Sequence, residues 1–154
     1  MYIISRCLLG TNCKYDGGNN RNEDVIDFCK YHSYMTICPE VSGGLKSPRA
    51  PAEQQRCDGV VRVKDSNGTD MTDCFERGAA QSLTEAIEEA EMREEPIEGA
   101  ILKKNSPSCS SKEVYDGSFS GVLIPGVGIF AQRLIKMGIT VSDEDCFKDV
   151  FALL

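Results

Sequence analysis

Three of the eight cysteines follow segments that read as buried strands, and each stands in a loop that contains glycine or proline. Cys7 comes after "YIIS", Cys38 ends "YMTIC", and Cys109 lies in the loop after "AILKK". In an open parallel sheet, ligands collect outside the carboxyl ends of the strands, where loops converge. The sequence therefore predicts that these three thiols face one crevice.

The number and spacing of the cysteines favour metal binding or catalysis over a disulfide scaffold. The chain begins "MYIISRC", which lacks the form of a secretory signal, and no apolar run approaches the roughly 20 residues of a membrane-spanning helix. We therefore expect a cytoplasmic protein with no membrane partner, a setting in which disulfides are rare. No cysteine pair has CxxC spacing and His32 is the only histidine. Any metal site must therefore be assembled from distant loops.

The other cysteines are interpreted from their surroundings. Cys29 belongs to the apolar face of a predicted helix and Cys74 to the first turn of another, where free cysteine packs as a small hydrophobe. Cys57 and Cys146 lack a strand-end context. Cys13 lies in the first of the three loops and stays open, either as a fourth ligand or as a nearby thiol.

Length and charge limit the domain count and the class of partner. A chain of 154 residues suits one compact domain with its own core, so we expect residues 1–154 to form a single domain. The net charge is −7, with 24 acidic and 17 basic residues, and this average field repels a nucleic-acid backbone. We therefore expect a small-molecule partner and no nucleic acid. The oligomeric state is left open.

The hydrophobic pattern alternates short strands and helices. Apolar residues at helical spacing, capped by Asn22, predict a helix over "NEDVIDFCKYH", and a second amphipathic pattern covers 73–94 after a start at Thr72. The turn signal Asn67-Gly68 beside "VVRV" predicts a short hairpin. The other predicted elements are strands at 2–5, 34–38, 97–102 and "ITVS", a loop or short strand at "GVLIPG", and a helix at "GIFAQRLIKMG" closed by Gly138.

This order of elements predicts an α/β fold. We expect a single-domain, three-layer sandwich around a mainly parallel sheet, Rossmann-like in its arrangement. The carboxyl ends of parallel strands meet at one edge of such a sheet, which is where the strand-end thiols would gather.

Six segments, taken in order, resemble the thiouracil desulfidase family. They are "CLLGTNCKYDGG", "CPEVSGGLKSPRAPAE", "GTDMTDCFERGA", "ILKKNSPSCSS", "YDGSFSG" and "GVGIFAQRLIKMGITV". Together they cover nearly the whole chain, which argues against accidental similarity. The sequence departs from the family pattern at Ser110, Val127 and Phe130. We therefore expect the loop geometry to follow the family more closely than the choice of substrate does.

The resemblance implies a [4Fe-4S] cluster held by three cysteines, which match Cys7, Cys38 and Cys109 in this sequence. It also implies a fourth iron open to sulfur, and non-redox desulfuration of a thiolated pyrimidine such as 2-thiouracil, or of a related thioamide, to give uracil and sulfide. Thiolates are soft ligands that suit iron–sulfur clusters. A C=S group bound through sulfur loses electron density at carbon, which invites attack by water.

Attack by water requires a proton acceptor, and Glu40 is the first candidate. It stands two residues after Cys38, and Pro39 restricts the backbone between them. The alternative is an ion pair with Lys46 or Arg49 that shapes the loop. Both interpretations are kept.

Further polar residues each have a chemical and a structural interpretation. Ser106 in "SPSC" could orient the pyrimidine or the water, or could form a turn with the proline that follows it. Lys103 and Lys104 could attract a thiolate-like substrate, or could form a solvated pair at a strand end. Asp16 could have a chemical role or form a turn, and His32 could act in catalysis or stabilise a helix end; the structural interpretation is preferred for both.

Two other functions would use the same residues. A non-catalytic iron–sulfur or metal-binding protein needs the cysteines but not Glu40 and Ser106. A thiol-redox protein needs cysteines close enough to oxidise, with Cys7 and Cys13 as the first candidates.

Overall fold

A parallel four-stranded sheet lies at the centre of the protein. The structure is a computed structural model that describes residues 1–151. In chain order, the strands are β1 (Tyr2–Ser5), β2 (Tyr34–Ile37), β3 (Ala52–Cys57), β4 (Val60–Asp65), β5 (Gly99–Ile101), β6 (Glu113–Tyr115), β7 (Leu123–Pro125) and β8 (Val141–Ser142). The helices are α1 (Glu23–Cys29), α2 (Pro39–Ser42), α3 (Thr72–Arg93), α4 (Ile129–Lys136) and α5 (Phe147–Val150). The central sheet has the order β2-β1-β5-β8 with every pairing parallel, which confirms the predicted α/β fold.

Helices cover both faces of this sheet. Successive side chains of a strand point to opposite faces. In β1, Ile3 enters a core shared with α3 and α4, whereas Ile4 enters a second core shared with α1 and α5. Leu134 of α4 and Val25 of α1 are fully buried in these two cores. The layers are therefore helix, sheet and helix, as expected for a three-layer sandwich.

The helix ends follow the predicted signals. Asn22 caps α1 by accepting a hydrogen bond from the Val25 N–H at 3.1 Å. The longest helix begins at Thr72, and Gly138 adopts a φ of 82° just beyond α4. Within residues 1–151, no helix combines the length and the apolar character needed to cross a bilayer.

Two antiparallel hairpins, β3–β4 and β6–β7, lie outside the central sheet. The prediction of a hairpin across Asn67-Gly68 is wrong about the pairing, because β4 pairs with the preceding strand β3. The tight turn does form there. Beyond it, a bridge joins Lys64 to Asp70, and the chain then enters α3 at Thr72, which leaves no room for a second strand.

The backbones of α2 and α3 are in direct contact, and this contact positions the loop after β2. A Cβ atom on Gly78 would lie 2.0 Å from the Pro39 oxygen and 2.9 Å from the Gly43 nitrogen. A Cβ atom on Gly43 would lie 2.4 Å from the Cys74 oxygen. Only glycine fits at both positions. Helix α3 therefore fixes the place of α2, and with it the place of Cys38.

We predict that Gly78→Ala destabilises the fold, although the same exchange in an exposed helix is stabilising by about 1 kcal/mol. The added methyl group would collide with the Pro39 oxygen, and overpacking of this kind costs about 1–3 kcal/mol or more. Urea unfolding followed by circular dichroism measures the change. Glu88→Ala, on the exposed side of α3, is the control and should alter the free energy of unfolding by less than about 0.5 kcal/mol. A Gly78→Ala protein as stable as the unsubstituted one would contradict the contact.

Candidate active site

The carboxyl ends of β1, β2 and β5 open into a cavity of ≈ 640 Å³. Its wall contains the three cysteines predicted to face one crevice, Cys7, Cys38 and Cys109, together with Cys13. The structure thus brings together thiols from three loops that are far apart in the sequence. The role of these thiols as ligands stays a prediction.

The first loop folds back on Cys7. A 3-10 helix at Arg6–Leu9 follows β1 directly and ends at Gly10, whose φ is 97°. The chain then returns, so that the Asn20 N–H donates to the Cys7 oxygen at 3.0 Å. The side-chain nitrogen of Asn20 donates to the Cys7 sulfur at 3.4 Å. Asn20 therefore holds both the backbone and the sulfur of Cys7, which is half-buried.

The second loop begins at Cys38. The predicted strand 34–38 ends one residue early, and Cys38 becomes the N-cap residue of α2. Pro39 occupies the first helical position, where a missing N–H breaks no helical hydrogen bond. The turn from strand to helix thus leaves Cys38 half-buried in the cavity wall.

A serine and a glycine shape the third loop, which carries Cys109. Ser106 Oγ accepts hydrogen bonds from the N–H groups of Ser108 and Cys109, each at 3.1 Å. Helix α4 lies so close that a Cβ atom on Gly128 would be 2.4 Å from the Cys109 nitrogen. The Phe130 N–H also donates to the Ser108 oxygen at 2.9 Å. The Cys109 thiol is consequently buried, and this burial raises its pKa.

Cys13 interacts with the side chains of Cys38 and Cys7 in the cavity wall, and the Cys38 sulfur lies 4.0 Å from the Cys13 oxygen. Hydrogen bonding with these two thiols raises the pKa of Cys13. The bond from Cys13 is also the main reason why the pKa of Cys7 is lowered and why the pKa of Cys38 falls to about 7. The thiolate is the form that binds metal. Cys7 and Cys38 therefore have more thiolate character than Cys13.

An ion pair connects the three loops. Arg49 Nη2 lies 3.1 Å from Glu40 Oε1 and also donates to the Cys13 oxygen at 3.0 Å. The other carboxylate oxygen of Glu40 accepts from Ser108 Oγ at 3.3 Å. The loop-shaping ion pair considered from the sequence is therefore present with Arg49, whereas Lys46 supplies only its backbone oxygen. Glu40 also lines the cavity, and its role as a base stays a prediction.

Lys103 and Lys104 line the cavity and are paired with acidic residues that follow β8. Lys103 Nζ lies 2.8 Å from Glu144 Oε2, and Lys104 Nζ lies 2.6 Å from Asp145 Oδ2. The two lysines therefore connect the end of β5 to the loop after β8, Lys103 through a half-buried ion pair and Lys104 through a solvent-exposed one.

Two polar residues considered from the sequence have structural positions. His32 stacks on Phe28 with ring centroids 3.9 Å apart, and its Nδ1 lies 2.9 Å from the Phe28 oxygen. Asp16 accepts a hydrogen bond from the Gly18 N–H at 2.9 Å, as a turn former does. Neither side chain belongs to the described cavity wall.

The other cysteines lie away from the described cavity wall. Cys29 packs beside the α1 and α5 core, where burial raises its pKa to about 11. Cys74 lies on α3, and Cys57 is exposed at the end of β3. The Cys146 sulfur accepts a hydrogen bond from Lys112 Nζ at 2.9 Å.

Our sequence interpretation did not identify one part of the cavity wall, which carries aromatic and acidic side chains. This part includes Glu53, Tyr15, Tyr115 and Phe119. The segment "YDGSFSG" contains two of the three aromatic residues, and its sequence suggests no role beyond the family resemblance. It lies over the cavity because the β6–β7 hairpin packs on β3. Local sequence patterns do not predict this contact between distant segments.

We predict that iodoacetamide labels Cys38 faster than Cys29 at pH 7 in the reduced, metal-free protein. The thiolate is the reactive form, and the pKa is about 7 for Cys38 but about 11 for Cys29. Peptide mass spectrometry follows both residues in one sample. Cys13→Ala removes the main hydrogen bond to Cys38 and should move its labelling to higher pH. An unchanged pH profile in that variant would contradict the role given to Cys13.

The chain is similar to known proteins in sequence and in fold. Residues 2–146 match the family described as 2-thiouracil desulfurase. The chain is 33% identical over 156 residues to the uncharacterised protein YbbK of Bacillus subtilis (strain 168), covering 97% of this chain and 99% of YbbK. It also resembles the solved structure of the [4Fe-4S]-dependent thiouracil desulfidase TudS, with a TM-score of 0.82 and 35% identity over 96% of this chain and 93% of that one. Because the family match spans every described strand and all three cysteine-bearing loops, the chain belongs to the 2-thiouracil desulfurase family.

Proposed function

We propose that the protein is a desulfidase that converts a thiolated pyrimidine such as 2-thiouracil into uracil and sulfide. A C=S bond breaks, a C=O bond forms with the oxygen of water, and no electrons are transferred overall. The observation that carries the proposal is the cavity at the sheet edge, where cysteine thiols from three loops meet a carboxylate and a serine hydroxyl. Membership of the 2-thiouracil desulfurase family agrees with this chemistry.

The donor set of the cavity fits a [4Fe-4S] cluster, with Cys7, Cys38 and Cys109 as its ligands. Thiolates are the usual ligands of such clusters, and each of the three loops contributes one. Among residues 1–151, no three His, Cys, Asp or Glu side chains come close enough to hold a single metal ion. A cluster takes its ligands at separate irons, so the thiols can lie farther apart. The arrangement therefore suits a cluster better than a mononuclear site.

When bound, the cluster supplies a Lewis-acidic iron that polarises the C=S group of the substrate. Glu40 is the residue proposed to take a proton from the attacking water. One of its oxygens pairs with Arg49, and the other accepts a single hydrogen bond from Ser108. An ionised carboxylate has about four acceptor positions. Glu40 can thus hold the loops together and still accept a bond from water.

Ser106 is proposed to orient the water or the pyrimidine. Its oxygen accepts two backbone N–H groups and so forms the turn that was considered from the sequence. A hydroxyl has two acceptor positions and one donor. These two bonds use the acceptor positions and leave the O–H for a molecule in the cavity.

A thiol-redox protein is the second candidate, because Cys13 shares the cavity wall with Cys7 and Cys38. A third candidate, a metal or cluster carrier, would use the cysteines without Glu40 and Ser106. Iron and sulfide analysis after anaerobic purification separates the redox protein from the other two. Turnover of 2-thiouracil separates the enzyme from a carrier.

The expected partner is a small molecule: a free thiolated base, a nucleoside or another thioamide. The net charge of −7 supports this over a nucleic-acid partner. A cytoplasmic location and a single domain over residues 1–154 stay predictions from the sequence.

We predict that Cys7→Ser, Cys38→Ser and Cys109→Ser each lose most of their iron after anaerobic reconstitution, because each removes one thiolate ligand. Cys29→Ala and Cys74→Ala, which lie outside the cavity wall, are the controls and should retain it. Iron and acid-labile sulfide per chain are measured beside circular dichroism as a check of folding. A folded serine variant with full iron content would show that its cysteine is not a ligand.

We predict that Glu40→Gln keeps its cluster but loses turnover of 2-thiouracil by roughly 10²–10⁴-fold, the contribution typical of a positioned general base. Glutamine keeps the size of the side chain and an oxygen that can face Arg49. Steady-state formation of uracil measures the rate, and iron content confirms loading. Glu88→Gln on the exposed side of α3 is the control. A near-normal rate would leave Glu40 with its loop-shaping ion pair alone.

A further inference from the structure

Phe119 lies in the cavity wall with a backbone conformation that bulky residues rarely adopt. Its φ is 57°, and its side chain lines the cavity while 38% exposed. A large side chain at positive φ is unfavourable, and such residues persist where the surrounding structure holds them, often at ligand-binding sites. The tip of the β6–β7 hairpin therefore carries an aromatic ring at the cavity although local backbone preference opposes it.

The carboxylate of Glu53 in β3 holds this tip. Glu53 Oε1 accepts hydrogen bonds from the N–H groups of Gly117 at 3.0 Å and Phe119 at 3.1 Å. Gln55 Nε2 donates to the Gly117 oxygen at 3.1 Å. A Cβ atom on Gly117 would lie 2.8 Å from the Gln54 oxygen, so the tip packs directly on the backbone of β3. The conformation of Phe119 is thus imposed by a neighbouring strand.

Packing of the fold does not account for the Phe119 ring. The ring belongs to neither described core of the sandwich. Burial of its apolar surface by a ligand is favourable, and a flat heteroaromatic ring covers an aromatic face well. Nucleobases stack on aromatic side chains in this way whatever their hydrogen-bonding groups. A thiolated pyrimidine has such a face.

We propose that Phe119 contacts the substrate by stacking its ring on the face of the pyrimidine, and that Glu53 is the positioning residue that holds Phe119. This inference rests on the proposed desulfidase function. It adds a contact through which the enzyme favours substrates that have a flat ring.

The test compares Phe119→Leu and Phe119→Tyr in cluster-loaded protein. Leucine is apolar but has no ring face, so KM for 2-thiouracil and Kd for uracil should rise about tenfold, equivalent to ~1.4 kcal/mol of stacking. The kcat should change by less than about threefold, because the contact is the same before and during the reaction. Tyrosine keeps the ring and should behave like the unsubstituted protein. Equilibrium dialysis gives the uracil Kd, independently of turnover.

The control is Val122→Ala. Val122 is exposed in the same hairpin tip but lies outside the described cavity wall. Its truncation should leave KM, kcat and uracil binding unchanged.

The positioning role of Glu53 has its own test. Glu53→Gln keeps an oxygen that can accept both N–H bonds and should retain the unsubstituted KM and Kd. Glu53→Ala frees the tip and should raise both constants as Phe119→Leu does. The double variant, Phe119→Leu with Glu53→Ala, should bind uracil no more weakly than either single variant, because both changes remove the same contact. A further loss in the double variant would overturn the positioning role.

The outcomes separate this inference from the proposed function. Unchanged KM and Kd in cluster-loaded Phe119→Leu would overturn the stacking contact while desulfidase activity stands. A folded Phe119→Leu protein that loses its iron would also overturn it, since the ring would then serve the cluster. Absence of turnover by the cluster-loaded unsubstituted protein would overturn the proposed function, and this inference with it.

Discussion

The ion pair between Arg49 and Glu40 connects the three loops on which the site depends. Arg49 also holds the Cys13 oxygen of the first loop, and Glu40 also accepts from Ser108 of the third. Removing one partner of a fully buried pair costs about 3–5 kcal/mol, and less here, where the two side chains are 12% and 19% exposed. The spacing between thiols is therefore coupled to a carboxylate beside them. Glu40 can therefore shape the loops through its ion pair and also serve as a proton acceptor.

Close backbone contacts supply the rigidity that the ion pair alone cannot. Gly78 lets α3 meet the start of α2 beside Cys38, and Gly128 lets the start of α4 meet the loop of Cys109. In both places a side chain would push apart the elements that position a thiol. Binding sites require supporting groups that are already in place. Here two helices of the sandwich provide that support directly through their backbones.

The cavity has two halves of different origin. The thiols come from the edge of the central sheet, whereas the aromatic side chain of Phe119 comes from a hairpin that packs on β3. Gln54, which is 1% exposed, joins the halves, because its side-chain nitrogen donates to the Pro107 oxygen at 3.0 Å and to the Val127 oxygen at 2.9 Å. A buried amide with satisfied hydrogen bonds fixes geometry well. The half that would hold a cluster and the half that would hold a ring are thus joined into one cavity.

The sequence by itself determined the α/β order, the helix ends and the strand-end positions of Cys7, Cys38 and Cys109, because hydrophobic period, capping residues and glycine are local signals. It left open which basic residue pairs with Glu40 and did not identify Phe119 as part of the wall. Those features, and the pairing of β4 with β3, were decided only in the tertiary structure. The physical reason is that each depends on contacts between segments distant in the chain, whose free energy exists only once the layers and hairpins have packed together.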